Sequence, residues 1–183
     1  MSKRLTLVLG GARAGKSTYA QELASSGERV LFVATAEAGD RDIEARIEAH
    51  RESRPAEWDT VEEPLDLVGA LEPVADRYDM VLLDCLTLWV SNLLLQGGED
   101  GAGDADIPAE VRMLLEVYER GTASWIVVSN EVGLGVVAPT RLGRLYADEL
   151  GRANQMVAAA ADDVFFLAAG LPLNLKQLSG GAD

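Results

Sequence analysis

Apolar positions in this chain cluster in short, almost unbroken runs. They are Arg4 to Leu9 (RLTLVL), Arg29 to Thr35 (RVLFVAT), Asp79 to Asp84 (DMVLLD), Ser124 to Asn130 (SWIVVSN) and Asp163 to Ala168 (DVFFLA). Runs of this length, rich in β-branched and aromatic residues, predict strands. Their lack of strict alternation predicts burial on both faces, the habit of a mostly parallel sheet with helices on either side. Trp58 to Val61 predicts a further short strand.

The segments between the runs suit helices: Ser17 to Ala24, about Asp40 to Glu52, Leu65 to Ala75 behind Pro64, Pro108 to Arg120, and Thr140 to Ala161. Leu86 to Leu95 is apolar throughout, which fits a buried helix and equally a contact between subunits. Gln96 to Asp106 (QGGEDGAGDAD) predicts a mobile loop. Trp89 and Trp125 are expected in the core. The strand and helix alternation, without repeat or linker, predicts a single α/β domain over residues 1–183.

Composition narrows the class. At 183 residues, with 48% hydrophobic and 25% charged residues, the chain has the makings of one globular core. No apolar run approaches the roughly 20 residues of a membrane span. Met1-Ser2-Lys3-Arg4 leads directly into a strand-like run with no signal-peptide pattern, so a cytoplasmic protein is expected. The single cysteine, Cys85, and the single histidine, His50, exclude an internal disulfide and a Cys/His zinc site, leaving oxygen ligands for any metal. A formal charge of −14 argues against nucleic acid and anionic membrane as partners. It also repels nucleotides, so phosphate binding must rest on local cations, backbone N–H groups and Mg²⁺.

One motif meets that demand. Gly10-Gly11-Ala12-Arg13-Ala14-Gly15-Lys16-Ser17 fits G-x-x-x-x-G-K-[ST] and stands between a predicted strand and a predicted helix, the context that gives this pattern its meaning. Its glycines turn backbone N–H groups onto phosphate oxygens, Lys16 neutralises β- and γ-phosphate charge, and Ser17 offers a hydroxyl to Mg²⁺. Asp84 ends an apolar strand, where its carboxylate suits the same metal; capping the following helix is the alternative. The sequence therefore points to a P-loop nucleotide-binding enzyme using GTP and/or ATP with Mg²⁺.

Two further groups stay open on spacing alone. Arg41, Arg46, Arg51 and Arg54 surround His50 and suit a second phosphate-binding cluster, yet Ile43, Ile47 and His50 share one helical stripe, which suits a packed histidine with solvated arginines. Asn130-Glu131-Val132-Gly133-Leu134-Gly135 follows a strand and should face the ligand-binding edge of the sheet, although Asn and Gly also simply serve turns.

Taken together, these residues resemble the bifunctional adenosylcobinamide kinase/adenosylcobinamide-phosphate guanylyltransferase family of cobalamin biosynthesis. The resemblance spans about Leu5 to Leu175. It rests on the Gly10–Ser17 loop, on Ala34-Thr35, on Ala45 to Trp58 (ARIEAHRESRPAEW), and on Asn130 to Val137 (NEVGLGVV). It implies a RecA-like parallel sheet and a homo-oligomer, a trimer by family pattern. It also implies two reactions: phosphorylation of a corrinoid hydroxyl, then transfer of GMP from GTP to that phosphate to give adenosyl-GDP-cobinamide.

Under the resemblance His50 is the residue that takes up GMP, a role that a neutral imidazole suits. The nucleotide contacts it implies are Gly10 to Ser17, Ala34, Thr35, Ala36, Arg51, Glu52, Ser53, Arg54, Glu62 and Asp84, with Lys16 catalytic and Ser17 and Asp84 on the metal. Ala36 replaces a serine common in the family, and Ala49 a second histidine found in some relatives. The competing readings are a P-loop small-molecule kinase without nucleotidyl transfer, and a nucleotide-dependent switch with no small-molecule acceptor.

Overall fold

The computed structural model describes residues 2–36, 55–96 and 105–179. Seven strands form one sheet: β1 Leu5–Gly10, β2 Val30–Ala34, β3 Asp59–Glu62, β4 Met80–Asp84, β5 Ser124–Val128, β6 Asp163–Ala168 and β7 Leu171–Asn174, in the order β3-β2-β4-β5-β1-β6-β7. Every pairing is parallel except β6 with β7. The described helices are α1 Lys16–Ala24, α2 Leu67–Leu71, α3 Leu86–Leu95, α4 Ile107–Arg120, α5 Arg141–Ala160 and α6 Leu175–Ser179.

The apolar runs became strands because each can bury both faces. Along β4, Val81 and Leu83 enter a large cluster with Leu67, Leu71, Trp89, Val111, Leu114 and Leu150 from helices α2 to α5. Leu82 points the other way, into a smaller cluster with Val8, Phe32, Ile126 and the α1 residues Ala20 and Ala24. The same alternation runs through β2 and β5, so the sheet has an α3/α5 face and an α1 face.

Helix ends follow their capping chemistry. The Asp106 carboxylate accepts from the Ala109 N–H at 3.0 Å at the start of α4, and the Thr140 hydroxyl accepts from the Gly143 N–H at 3.0 Å at the start of α5. Asp106, expected within a loop, is thus the first fixed point of a helix that begins at Ile107.

Three expectations need correction or bounds. The helix expected over Leu65 to Ala75 is only Leu67–Leu71, followed by a single 3₁₀ turn at Ala75–Arg77; Pro73, which has no N–H to donate and disfavours helix in the residue before it, ends the helix early. Strand β7 and helix α6 were not foreseen. Pro172 within β7 argues against a strand, and the structure resolves this by placing β7 at the sheet edge, where a missing donor costs least. Ala169 and Gly170, with φ of 51° and 81°, make the two-residue turn that joins it to β6. The helix expected over Asp40 to Glu52 and residues 97–104 of the Gln96 to Asp106 loop lie outside the described residues.

Leu86 to Leu95 is a largely buried helix: Leu86, Trp89 and Val90 are inaccessible to solvent and Leu93 and Leu94 nearly so, while Leu88 and Leu95 are exposed. Trp125 is also in the core. Among the described residues, no helix is long and apolar enough to cross a membrane.

Candidate active site

The glycine loop bridges β1 and α1. Gly10 has φ of 152°, and a Cβ there would stand 2.6 Å from the Leu167 carbonyl oxygen, so the loop leaves the strand pressed against β6 in a way only glycine permits. Gly15, with φ of 93°, opens α1 and starts its hydrogen-bond ladder by accepting from the Tyr19 N–H at 3.1 Å. The β6–β7 turn supports the loop from behind, Gly170 donating its N–H to the Ala14 carbonyl at 3.0 Å. Gly11, Ala12 and Arg13 are exposed, leaving the outer rim of the cradle open.

Lys16 is 9% exposed and donates from Nζ to the Gly11 carbonyl at 2.7 Å, lying back across its own loop. Burial lowers the pKa of its ammonium from the ordinary lysine value, while Cys85 and Asp84 pull it back up. A desolvated cation with a neutral partner is a charge in want of an anion. A phosphate in the loop would supply one.

The ladder of paired strands places the remaining candidates. Glu62 pairs with Ala34, Ala34 with Asp84, and Asp84 with Val128, a single row across β3, β2, β4 and β5. Ala34 and Val128 lie in the cluster on the α1 face. Alternation along β3 and β4 puts Glu62 and Asp84 on that face as well, because Val61 and Leu83 pack on the opposite one. Ala36, half-buried, lies two residues beyond Ala34. The structure thus brings Gly10 to Ser17, Ala34, Glu62 and Asp84 to one edge and one face of the sheet, with Ala36 in the segment that follows β2.

Thr35 stands apart from that set. Alternation turns it to the α3/α5 face, where it is inaccessible to solvent. Its hydroxyl donates to the Cys85 carbonyl at 2.7 Å and accepts from the Cys85 N–H at 2.9 Å. Its carbonyl accepts from Asn92 Nδ2 at 2.8 Å, and the same amide reaches the Pro64 carbonyl at 3.1 Å. Thr35 therefore clasps the residue after Asp84. Burial pushes the Cys85 thiol up to about 11, so it is neutral at physiological pH and no nucleophile.

The Ser17 hydroxyl and the Asp84 carboxylate make no hydrogen bond among the described residues and are half-buried on facing elements, α1 and β4. Two uncommitted oxygen donors suit Mg²⁺, which keeps several waters and takes its other ligands from phosphates. They do not make a protein cage: among the described residues, no group of three or more His, Cys, Asp or Glu can hold a metal. His50, Arg51, Glu52, Ser53 and Arg54 lie outside the described residues.

A feature that the sequence reading left open is the support behind β5. Asn130 donates its N–H to Thr87 Oγ1 at 2.7 Å, and its carbonyl accepts from Asn154 Nδ2 at 3.0 Å. The next residue, Glu131, donates its N–H to the Gly10 carbonyl at 3.1 Å, tying this segment to the start of the glycine loop. Polar residues at 87 and 154, inside otherwise apolar helix faces, were the available signal.

A mostly parallel sheet with the glycine loop after β1, the acid at the end of β4, and β5 between these two strands defines a P-loop nucleotide-binding protein of RecA-like architecture. Solved structures agree on the fold: a prototypical ATPase from the type III secretion system of pathogenic bacteria matches 99% of this chain and 55% of its own, with TM-score 0.63 at 14% identity. The assembled ATPase EscN, in complex with its central stalk EscO, matches 91% of this chain and 42% of its own, with TM-score 0.58 at 14% identity. The sequence is more specific. The chain belongs to the cobinamide kinase / cobinamide phosphate guanyltransferase family, whose model matches residues 6–175.

Among its relatives, the bifunctional adenosylcobalamin biosynthesis protein CobP of Pseudomonas aeruginosa is 46% identical over 171 residues, 93% of this chain and 96% of the relative. The bifunctional adenosylcobalamin biosynthesis protein CobU of Escherichia coli K12 is 38% identical over 180 residues, 94% and 99% of the two chains. The chain is thus an enzyme of this family, and the resemblance drawn from its motifs holds over nearly its whole length.

Proposed function

We propose that this protein phosphorylates the free hydroxyl of adenosylcobinamide and then transfers GMP from GTP to the resulting phosphate, through a guanylylated His50. The observation that carries the reading is the placement of Lys16, Ser17 and Asp84 around one phosphate cradle in a chain of this family.

In the first reaction the acceptor hydroxyl oxygen bonds to the γ-phosphorus, the bond to the β-phosphate oxygen breaks, and the hydroxyl proton passes to water. Backbone N–H groups of Gly10 to Ser17 and the Lys16 ammonium hold the nucleotide and meet the charge that grows on the leaving diphosphate. Mg²⁺, when bound with nucleotide, neutralises charge on the β- and γ-phosphates, and Ser17 and Asp84 are the residues that would hold it. Ala34 and Glu62 line the same face and contact the nucleotide, Ala36 contacts it from the segment after β2, and Thr35 acts from behind.

In the second reaction an imidazole nitrogen of His50 bonds to the α-phosphorus of GTP and pyrophosphate leaves. An oxygen of the corrinoid phosphate then attacks the same phosphorus, the P–N bond breaks and His50 is restored. Arg51 and Arg54 stabilise charge on the α-phosphate in both displacements, and Glu52 and Ser53 complete the nucleotide contacts. The protein works in the cytoplasm as a homotrimer.

The direct test of the kinase half is incubation with γ-labelled GTP or ATP, Mg²⁺ and adenosylcobinamide. Label should move to the corrinoid in the wild type and fall by roughly 100-fold or more in Lys16→Ala, since a charged contact to the transferred group is lost. Nucleotide binding without transfer to the corrinoid would contradict the kinase reading and favour a nucleotide-dependent switch.

A further inference from the structure

The glycine loop holds one side chain that its backbone does not favour. Arg13 has φ of 58°, in the left-handed region; among the described residues, Ala169 in the β6–β7 turn is the other non-glycine with positive φ. A side chain there crowds Cβ against the following carbonyl, a cost that glycine avoids. Glycine already stands at positions 10, 11 and 15 of the same loop, where backbone geometry alone decides. Nothing inside the protein offsets the cost at position 13, because the Arg13 guanidinium makes no hydrogen bond or ion pair among the described residues. Other cations are committed. Arg4 and Arg29 pair with Asp163 and Asp79, and Lys3 and Lys176 bond carbonyls at the carboxyl ends of α4 and α5. In a chain with 16 basic and 30 acidic residues, an unspent cation on a strained backbone points to a ligand outside the protein.

Depth separates the two cations of the loop. Lys16 is 9% exposed and bonded to the Gly11 carbonyl, within reach of phosphates inside the cradle. Arg13 is exposed, on the rim with Gly11 and Ala12. In-line transfer brings the acceptor oxygen to the γ-phosphorus from the side away from the β-phosphate, so the acceptor enters from the mouth. Once the phosphoryl group has moved, Lys16 and the loop N–H groups remain with the β-phosphate of the diphosphate. The acceptor now carries a phosphate monoester of about −1.5 to −2 charge at pH 7. A protein of charge −14, with Glu62 and Asp84 on the same face of the sheet, repels that group unless a cation meets it. A guanidinium does so with two parallel hydrogen bonds and without giving up its proton.

We propose that the Arg13 side chain holds the phosphate monoester of the phosphorylated corrinoid at the mouth of the cradle, and so makes the protein prefer the phosphorylated acceptor to the unphosphorylated one. This rests on the two-reaction reading above and adds the group that keeps the product of the first reaction in place as the nucleophile of the second. The backbone of residue 13 serves the nucleotide, and its side chain serves the acceptor. No bond to Arg13 is made or broken in either reaction.

The test is equilibrium binding of adenosylcobinamide and of adenosylcobinamide phosphate to protein saturated with Mg²⁺ and GDP, which fills the cradle without a γ-phosphate. The wild type should favour the phosphorylated corrinoid. Arg13→Gly should cut that preference roughly tenfold or more, the loss expected for charge-assisted hydrogen bonds. Arg13→Ala should lose the preference equally and melt at a lower temperature than Arg13→Gly, because it keeps the backbone strain that glycine relieves. Arg13→Lys keeps the charge without the planar fork and should retain part of the preference.

An undiminished preference in folded Arg13→Gly or Arg13→Ala would overturn the proposal and leave the two reactions standing. So would a loss of GDP affinity in these variants as large as the loss for the corrinoid phosphate, which would make Arg13 a nucleotide contact instead. A wild type that binds both corrinoids equally overturns it too. A wild type that binds neither corrinoid contradicts the proposed function itself and removes this proposal with it, an outcome distinct from the others because it appears before any variant is made.

Discussion

At the level of single residues, the structure separates two tasks that adjacent positions share. Ala34 and Thr35 come together in the motif that resembles the family, yet the two side chains leave β2 on opposite faces. Ala34 shares the α1 face with the phosphate cradle, and Thr35 spends its hydroxyl on both backbone groups of Cys85. A nucleotide contact through that hydroxyl would cost these two bonds. Its two bonds hold Cys85, the residue that follows Asp84.

Thr35→Val keeps the shape and removes both bonds, which should cost about 1–3 kcal/mol of stability by leaving the Cys85 N–H unpaired, while the Cys85 carbonyl keeps the Trp89 N–H. The functional signature should be a rise of several-fold in the Mg²⁺ concentration needed for half-maximal binding of metal-nucleotide, with metal-free nucleotide binding unchanged. A titration that shows wild-type Mg²⁺ dependence in a folded Thr35→Val protein would contradict the positioning role. Sequence spacing conveys which residues follow a strand, but which face each one takes depends on the register of that strand. The resemblance implies a contact at Thr35 by matching position alone, and position does not say which face of a strand a side chain takes.

At the level of elements, the strands were legible and their supports were not. β1, β2, β4 and β5 are buried on both faces and β6 partly so, which leaves long apolar runs in the sequence, and all lie where those runs do. The glycine loop was legible because its backbone geometry excludes other residues: Gly10 meets the Leu167 carbonyl, and Gly15 starts a helix from a left-handed conformation. The β6–β7 hairpin was not, because its strand is short, exposed and contains Pro172; it reads as a tail although its turn supports the loop through Gly170. The short α2 was overextended because periodicity continues past Pro73 while the helix cannot. The Asn130 anchor was invisible for another reason: Thr87 and Asn154 are separated from it by 43 and 24 positions, and only the packed sheet brings them together.

At the level of the whole molecule, the charge of −14 opposes the phosphate binding proposed for the glycine loop, where burial lowers the pKa of the Lys16 ammonium. Among the described residues, exposed apolar side chains include two groups, Val132, Leu134, Val136 and Val137 after β5, and Leu171, Leu173, Leu175 and Leu178 at β7 and α6, besides the scattered Leu88, Leu95 and Met113. Apolar surface of this kind is what an assembly covers, in keeping with the proposed trimer. Sedimentation equilibrium at micromolar concentration should return three times the 19.5 kDa chain mass; a monomer throughout would contradict it.

The central claim is that one chain joins a phosphate cradle to a histidine that carries GMP. Incubation with α-labelled GTP and Mg²⁺, without acceptor, tests it most directly. The wild type should acquire a covalent, acid-labile label that is discharged on addition of adenosylcobinamide phosphate, and His50→Ala should acquire none. A covalent label that persists in His50→Ala, or guanylyl transfer to the corrinoid with no protein adduct at any stage, would contradict the account.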